Sequence, residues 1–165
     1  MSIRLLKTEE LDEALVIYEH ARAFMRRIGN ANQWKNNWPP AEVLMDDIAQ
    51  HQLYGVFHDD VLAGVFAYWF GPHAESTYDV IYDGAWLSDR PYGVVHRIAA
   101  AEGSGAGKEA IRWAVRVSNG HLRMDTHEDN AAMRHVLMSL GFQQCGTILL
   151  KNGDPRIAFE TAENG

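Results

Sequence analysis

The stretch Gly93-Val94-Val95-His96-Arg97-Ile98-Ala99-Ala100-Ala101-Glu102-Gly103-Ser104-Gly105-Ala106-Gly107-Lys108 decides the fold. Its first nine residues form an apolar, β-branched run that reads as a strand. The segment that follows, Glu109 to Val117, repeats with a helical period and sets Ala110, Ala114 and Val117 on one face. Between them lie three glycines in five residues. Glycine reaches positive φ without a steric penalty and lets a ligand approach the main chain closely. A strand, a glycine turn and a helix start gather free N–H groups at the positive end of a helix dipole, an arrangement suited to phosphate or pyrophosphate. A glycine-rich connection that binds nothing remains the other reading of the loop taken by itself.

The common phosphate loops do not match. A Walker A loop needs glycine six residues before its lysine and Ser or Thr after it, and those positions hold Glu102 and Glu109. The dinucleotide pattern G-x-G-x-x-G fails because Lys108 stands where its third glycine belongs. That pattern also opens its domain, whereas this turn comes two-thirds of the way along the chain.

The 165 residues, 47% of them hydrophobic, are enough for one domain over 1-165 with a core of its own, about 2-160. No apolar stretch approaches membrane-span length, and Met1-Ser2-Ile3-Arg4 lacks the apolar core of a signal peptide. The single cysteine, Cys145, rules out an internal disulfide and fits a reducing compartment, so a cytoplasmic protein with no membrane partner is expected. Twenty-two acidic residues against 15 basic give a net charge of −7 with no Lys/Arg stripe, which argues against nucleic acid as a partner. The same field is unhelpful to an anionic ligand, which local N–H groups and Lys108 would have to hold. A cationic substrate suits the global charge better.

The expected order of elements is β-α-α-β-β-β-α-β-α-β-β. A first strand runs from Ile3 to Leu6. Thr8 caps a helix whose face is Leu11, Leu15, Tyr18, Ala21, Met25 and Ile28, up to Gly29. A loop with two tryptophans, Trp34 and Trp38, leads to a helix from Pro40 or Ala41 to about Gln50. A hairpin over Leu53 to His58 and Val61 to Phe70 turns at Asp59-Asp60. The irregular span Gly71 to Gly93 is rich in aromatics. After the glycine turn, His121 to Thr126 alternates Leu122 and Met124 against Arg123 and Asp125. A helix over Asp129 to Leu140 turns Met133, Val136, Leu137 and Leu140 inward and ends at Gly141, a C-cap glycine. Phe142 to Leu150 and Arg156 to Glu160 close the sheet, and Thr161 to Gly165 is expected to fray.

This order resembles the GNAT superfamily of acetyl-CoA-dependent N-acyltransferases. The resemblance rests on the family's [Gln/Arg]-x-x-Gly-x-[Gly/Ala] turn, here Glu102-Gly103-Ser104-Gly105-Ala106-Gly107. It rests also on Arg123 to Asn130 followed by Leu140-Gly141-Phe142. It implies an α/β (α+β) fold: a mixed, mostly antiparallel twisted sheet of about seven strands, flanked by four helices and splayed between strands 4 and 5. It implies that Ile98, Ala99 and Ala100 pair with the pantetheine arm of acetyl-CoA as an added strand would. Gly103, Ser104, Gly105, Ala106, Gly107 and Lys108 would hold the pyrophosphate, with Asn130 as a further cofactor contact. A backbone N–H near Ala99 or Ala100 would polarise the thioester carbonyl. GNAT proteins are frequently dimers, so a homodimer is a possibility. Two positions depart from the pattern. Glu102 stands where Gln or Arg is usual, and Leu137 occupies the place of a tyrosine that often serves as general acid.

The implied activity is N-acetyl transfer from acetyl-CoA to a primary amine of a small molecule or peptide, directly within a ternary complex. The alternatives are a non-catalytic or weakly catalytic acyl-CoA-binding module, suggested by Glu102 and Leu137, and an interaction domain that kept only the fold. Candidate bases are His96, Asp79 and Asp83, with His127 and Glu128 behind them. His96 has the side chain suited to proton transfer near neutrality, although a packed histidine is its bland alternative. Alternation sends Arg97 to the opposite face. Trp34, Tyr78, Tyr82, Trp86 and Tyr92 are expected to line the acceptor pocket, with Asp79 or Asp83 receiving a cationic amine. Cys145 is read as a small buried strand residue rather than a nucleophile. The eight histidines show no metal-ligand spacing, so no metal is expected.

Overall fold

The computed structural model describes residues 1–162. The chain order is β1 (Ser2–Leu5), α1 (Leu11–Arg27), α2 (Ala41–Ala49), β2 (Leu53–His58), β3 (Val61–Gly71), β4 (Tyr92–Ala100), α3 (Ala106–Val117), β5 (Leu122–Thr126), α4 (Ala131–Ser139), β6 (Phe142–Leu149) and β7 (Pro155–Thr161). The strands form one sheet in the order β1-β2-β3-β4-β5-β7-β6, antiparallel throughout except for β4 and β5.

That parallel pair positions everything else. It holds only at Gly93↔Leu122 and Val94↔Arg123, beyond which the two strands part. β4 remains paired with β3 along its other edge, from Tyr92 to Ala100. From Val95 onward, then, one edge of β4 has no strand partner among the described residues.

The two faces of the sheet carry different layers. Val56, Phe66, Tyr68, Val95, Leu122, Met124 and Phe159 pack against α3 and against Leu137 of α4. On the opposite face, Leu53, Val65, Ala67 and Ala99 pack against Ala14, Ile17, Tyr18 and Ala21 of α1 and Leu44 of α2. Farther along that face, Val94, Ile148 and Ala158 are covered by Tyr78, brought there by the segment between β3 and β4, and by Tyr92 at the start of β4.

Several elements differ from the sequence expectations, each for a local reason. α3 begins at Ala106, because Gly105 at φ 76 lets the chain enter the helix directly from the turn. Ile111 completes its buried face, while Val117 is exposed. Thr8 opens a single 3-10 turn; the reciprocal contact at this helix start is made by Glu10, whose carboxylate accepts from the Lys7 N–H (2.9 Å) and pairs with Arg4 (2.8 Å). The last strand runs through Thr161, whose hydroxyl donates to Gly120 O (2.7 Å). Of the expected frayed tail, residues 163–165 lie outside the described residues.

The segment between β3 and β4 is fastened to the sheet by a buried charge cluster. Glu160, fully buried, accepts from the Leu87 N–H (2.7 Å) and from Arg123 Nε (3.1 Å), and contacts His121 Nε2. The Arg123 guanidinium lies 4.2 Å from the ring centroids of both Trp86 and Tyr92.

Candidate active site

The gap between β4 and β5 opens a cavity of about 210 Å³. Its walls include Val95, His96 and Ile98 from β4, Met124, Asp125 and Thr126 from β5, and Asn130 and Met133 at the start of α4. It adjoins a recess of about 610 Å³ that shares Gln33, Trp38, His96, Arg97 and Arg156 and adds Trp69 and Glu75.

The register explains which side chains meet there. Cross-strand partners share a face, and so do residues two apart on one strand. Val94 pairs with Arg123, so His96 and Asp125 emerge on the same face. Asp125 pairs with Ala158, so Arg156 joins them from β7. The second acidic neighbour of His96, Glu75, arrives from the segment after β3.

A β-bulge adjusts the edge. Val65 pairs with Ala99 but Ala67 with His96, leaving one residue on β3 opposite Arg97 and Ile98 on β4. Arg97 takes φ 52, a left-handed value costing about 1–2 kcal/mol for a side-chain-bearing residue. Two contacts hold it there. Its guanidinium forms a two-point pair with the buried Asp47 of α2, at 2.7 and 2.7 Å, and its carbonyl accepts from Tyr18 OH at 2.5 Å. The bulge therefore brings Arg97 to the same cavity as His96, against the expectation from simple alternation. It also sets the N–H directions. Ala101 N–H donates to Ala63 O of the β3 side, so alternation turns the N–H groups of Ala100 and Ile98 toward the open edge. Ala99, one of the expected oxyanion donors, instead faces β3.

His96 sits among two carboxylates and a phenol. Tyr78 OH donates to Asp125 Oδ2 at 2.6 Å. With its own proton committed there, the Tyr78 oxygen accepts from His96 Nε2 at 3.2 Å. Asp125 Oδ2 is 3.4 Å from the same nitrogen. Both neighbours require a proton on Nε2, which leaves the lone pair of neutral His96 on Nδ1. Nδ1 lies 3.8 Å from Glu75 Oε2. Glu75 Oε1 is occupied by Thr77 N–H and Oγ1 at 3.3 and 3.0 Å, so Oε2 is the oxygen turned to His96. Burial works to raise the Asp125 carboxyl, but its contacts with His96 and Tyr78 and the charge of Arg156 outweigh it and hold the group below the ordinary carboxylate value. Burial, then the Asp125 charge, pushes the Tyr78 phenol well up, so it stays neutral and a donor.

The other expected site residues divide clearly. Trp34 lines the cavity and Tyr78 reaches His96. Tyr92 is buried against Glu75 backbone and Arg123, Trp86 donates its indole N–H to Tyr78 O, and Tyr82 is exposed beside Thr147. These three brace the segment and do not line the cavity. Trp38 lines the cavity in their place, and Trp69 the adjoining recess. Asp79 is half exposed and contacts His73 at 3.3 Å, and Asp83 is exposed at a turn with φ 56, so neither enters the cavity. The carboxylates beside His96 are Glu75 and Asp125. The signal for Asp125 was present in its alternation opposite Leu122 and Met124; none marked Glu75. His127 caps a local turn by accepting from the Asp129 N–H at 3.0 Å. Burial pushes the Cys145 thiol up to about 11, in line with a packed strand residue.

At the far end of β4, Gly103 and Gly105 both take positive φ (75 and 76). Ser104 stitches the turn, its hydroxyl donating to Ala101 O (2.7 Å) and accepting from Ala106 N–H (3.2 Å). The N–H groups of Gly103, Gly105, Gly107 and Lys108 meet no acceptor among the described residues. Glu102 swings away to Arg27 of α1 at 2.8 Å, where both side chains are exposed. Asn130 acts as N-cap of α4, accepting from Met133 N–H (3.0 Å) while its amide donates to Gln33 (3.1 Å). Leu137 is fully buried in the core.

Solved structures share this architecture. An acetyltransferase of the GNAT family from Streptococcus agalactiae is 32% identical over 99% of this chain and 96% of its own, with a TM-score of 0.87. The chain belongs to the GNAT family of acetyltransferases. It is an acyltransferase built on the GNAT sheet, with the parting of β4 and β5 as its central feature. Ribosomal-protein-alanine N-acetyltransferase from Brucella melitensis shares the fold at 18% identity and TM-score 0.64, covering 99% of this chain and all 100% of its own. So does a putative acetyltransferase from Salmonella typhimurium, solved with its cofactor acetyl-CoA, at 15% identity and TM-score 0.62, covering 100% of this chain and 96% of its own. No protein-family model matches the sequence, and neither does any curated protein.

Proposed function

We propose that this GNAT protein is one domain that transfers an acetyl group from acetyl-CoA to a primary amine, directly and within a ternary complex. The observation that carries the reading is the continuous open edge of β4. It has unpartnered turn amides at one end and the His96–Asp125–Glu75 cluster at the other. The five residues from His96 to Ala100, four steps along the bulged strand, span at most about 13 Å, room for a pantetheine arm to lie along the edge as an added strand. The free amides of Gly103, Gly105, Gly107 and Lys108 receive the pyrophosphate, and Glu102, engaged by Arg27, is turned from it.

In the reaction, Glu75 Oε2 attracts the acceptor ammonium to the 3.8 Å gap before His96 Nδ1. The ammonium first gives one proton to solvent water, and the neutral amine then attacks the thioester carbonyl carbon, with the oxyanion held by the N–H of Ile98 or Ala100. His96 Nδ1 takes the proton from nitrogen, with Asp125 and Tyr78 fixing the ring from behind. The carbon–sulfur bond then breaks, and the imidazolium returns its proton to the departing thiolate. Leu137 supplies no acid, so one histidine serves both steps. Trp34 and Tyr78 border the acceptor.

Release of free thiol from acetyl-CoA, followed against a panel of amines, amino acids and peptides, tests the proposal. Acceptor-dependent release supports it. Calorimetric binding of acetyl-CoA without turnover on any acceptor supports a binding module instead, and absence of binding sinks both readings.

A further inference from the structure

The site contains a positive charge that the transfer chemistry above does not use. Arg156 is 6% exposed, lines both the cavity and the recess, and comes from the same sheet face as His96 and Asp125. A guanidinium has five N–H donors. Two bonds are accounted for, Nη1 to Pro155 O (2.9 Å) and Nη2 to Gln33 O (3.1 Å), both to neutral carbonyls. Among the described residues no carboxylate lies within ion-pair distance of it, in contrast to Arg97 with Asp47 and Arg123 with Glu160. A buried cation without a directly bonded carboxylate is costly, and burial indeed lowers the Arg156 pKa, with the more distant charges of Asp125 and Asp154 acting against it.

Gln33 stands beside it with the same imbalance. Its side-chain oxygen receives Asn30, Thr126, Asn130 and the His127 N–H, at 3.1 to 3.3 Å. Its amide N–H groups meet no acceptor among the described residues. Gln33 lines the cavity as well. One wall of the site therefore offers charged and neutral donors, and the other offers Glu75, Asp125 and the His96 lone pair. Diagonal cross-strand neighbours such as Arg156 and Asp125 have Cα atoms about 7–8 Å apart, so a small molecule can touch both walls.

Resting on the transferase reading, we propose that the acceptor is an amino acid, its amine placed at Glu75 and His96 and its carboxylate received by Arg156 and the Gln33 amide. A simple amine leaves the guanidinium unmatched, and a polyamine sets a second cation against it. The net charge of −7 points toward cationic substrates, but the cavity itself is dipolar. At these distances local groups outweigh the screened global field.

The test is calorimetric binding to the full chain saturated with coenzyme A. Alanine, leucine, phenylalanine, lysine and β-alanine are each compared with the amine formed by removing the carboxylate. At least one amino acid is expected to bind on the order of tenfold or more tightly than its amine, the scale of one charge-assisted hydrogen bond. In Arg156→Met that advantage shrinks to about threefold or less, while coenzyme A binding persists. Amines binding as tightly as amino acids in every pair, an advantage that survives Arg156→Met, or no binding of any amino acid, overturns the proposal. Should Arg156→Met not fold, the wild-type pairs decide. Failure of the transferase reading is seen separately, as amino-acid binding without thiol release.

Discussion

Replacing Asp125 by asparagine tests the charge behind His96 with almost no change in shape. In the wild-type site the Tyr78 proton goes to Asp125 (2.6 Å), so His96 must present Nε2–H to both the phenol oxygen and the carboxylate, at 3.2 and 3.4 Å. Both contacts meet the same oxygen, Oδ2, so an asparagine oxygen in that place keeps both hydrogen bonds and the Nε2–H tautomer. What asparagine removes is the negative charge behind the ring, which in the proposed reaction stabilises the imidazolium formed when Nδ1 takes a proton. A hydrogen bond to a charged group is worth about 1.5–3 kcal/mol against about 0.5–1.5 for a neutral one, so kcat/KM should fall by about 1–2 kcal/mol, or about 5–30-fold. Tyr78→Phe removes one neutral hydrogen bond but leaves Nε2–H facing the carboxylate, and should cost only about threefold. Initial rates of thiol release near neutral pH, with acetyl-CoA affinity measured separately by calorimetry, give both values. An Asp125→Asn enzyme within about twofold of wild type refutes the role of the Asp125 charge, and so does a Tyr78→Phe loss equal to or larger than it.

Three further perturbations probe other parts of the molecule. Glu160→Gln removes the counter-charge of buried Arg123 and should destabilise by about 3–5 kcal/mol, lowering the thermal midpoint by about 6–20 °C; adding Arg123→Met should restore much of the loss. Gly105→Ala places a Cβ at φ 76, so it should cost about 1–2 kcal/mol of stability and weaken acetyl-CoA binding in calorimetry, although nothing crowds the new atom. Arg4 holds the Glu10 carboxyl down at about 2, below its ordinary value; the stability it contributes is complete above about pH 4.5 and lost as pH falls toward 2. Because Arg4 is half exposed the contribution is about 1 kcal/mol, and chemical denaturation of Glu10→Gln should lack this acid limb.

The fold was legible because its strongest signals are local. Apolar period and glycine punctuation mark β4, the turn and α3, and Gly141 marks the end of α4. Splaying between β4 and β5 followed from the family resemblance. The cavity was only half legible. His96 and Asp125 lie on strands, where alternation assigns a face, and they meet as that pattern implies. Glu75 arrives on an irregular segment whose path is set by tertiary contacts: the Trp86 and Tyr92 rings on Arg123, and the Leu87 N–H on Glu160. No periodicity encodes such a path. Asp79 and Asp83 lie outside the cavity for the same reason, since composition says that acids are present in the segment but not which one turns inward. Arg97 was misassigned because a bulge reverses alternation, and the contacts that pin it, Asp47 and Tyr18, lie 50 and 79 residues away.

The bulge also explains how one strand serves two tasks. A regular β4 would place His96 and Ile98 on one face and send Ala99 to the other. The inserted residue instead keeps His96 and Ala99 together on the face of α1 and α2, while Ile98 packs with the α3 side. The chain thereby crosses the sheet plane beside the open edge, and the N–H of Ile98 reaches that edge next to the His96 side chain. In the proposed reaction, an acyl group entering along the edge would meet its oxyanion donor in the plane of the sheet, and an amine arriving from the recess would meet His96 on one face. The left-handed Arg97 is the cost of this crossing, and the Asp47 pair and the Tyr18 bond offset it. Loosening either contact should therefore impair catalysis before it impairs binding at the glycine turn, which lies beyond the bulge and is held by Ser104 independently.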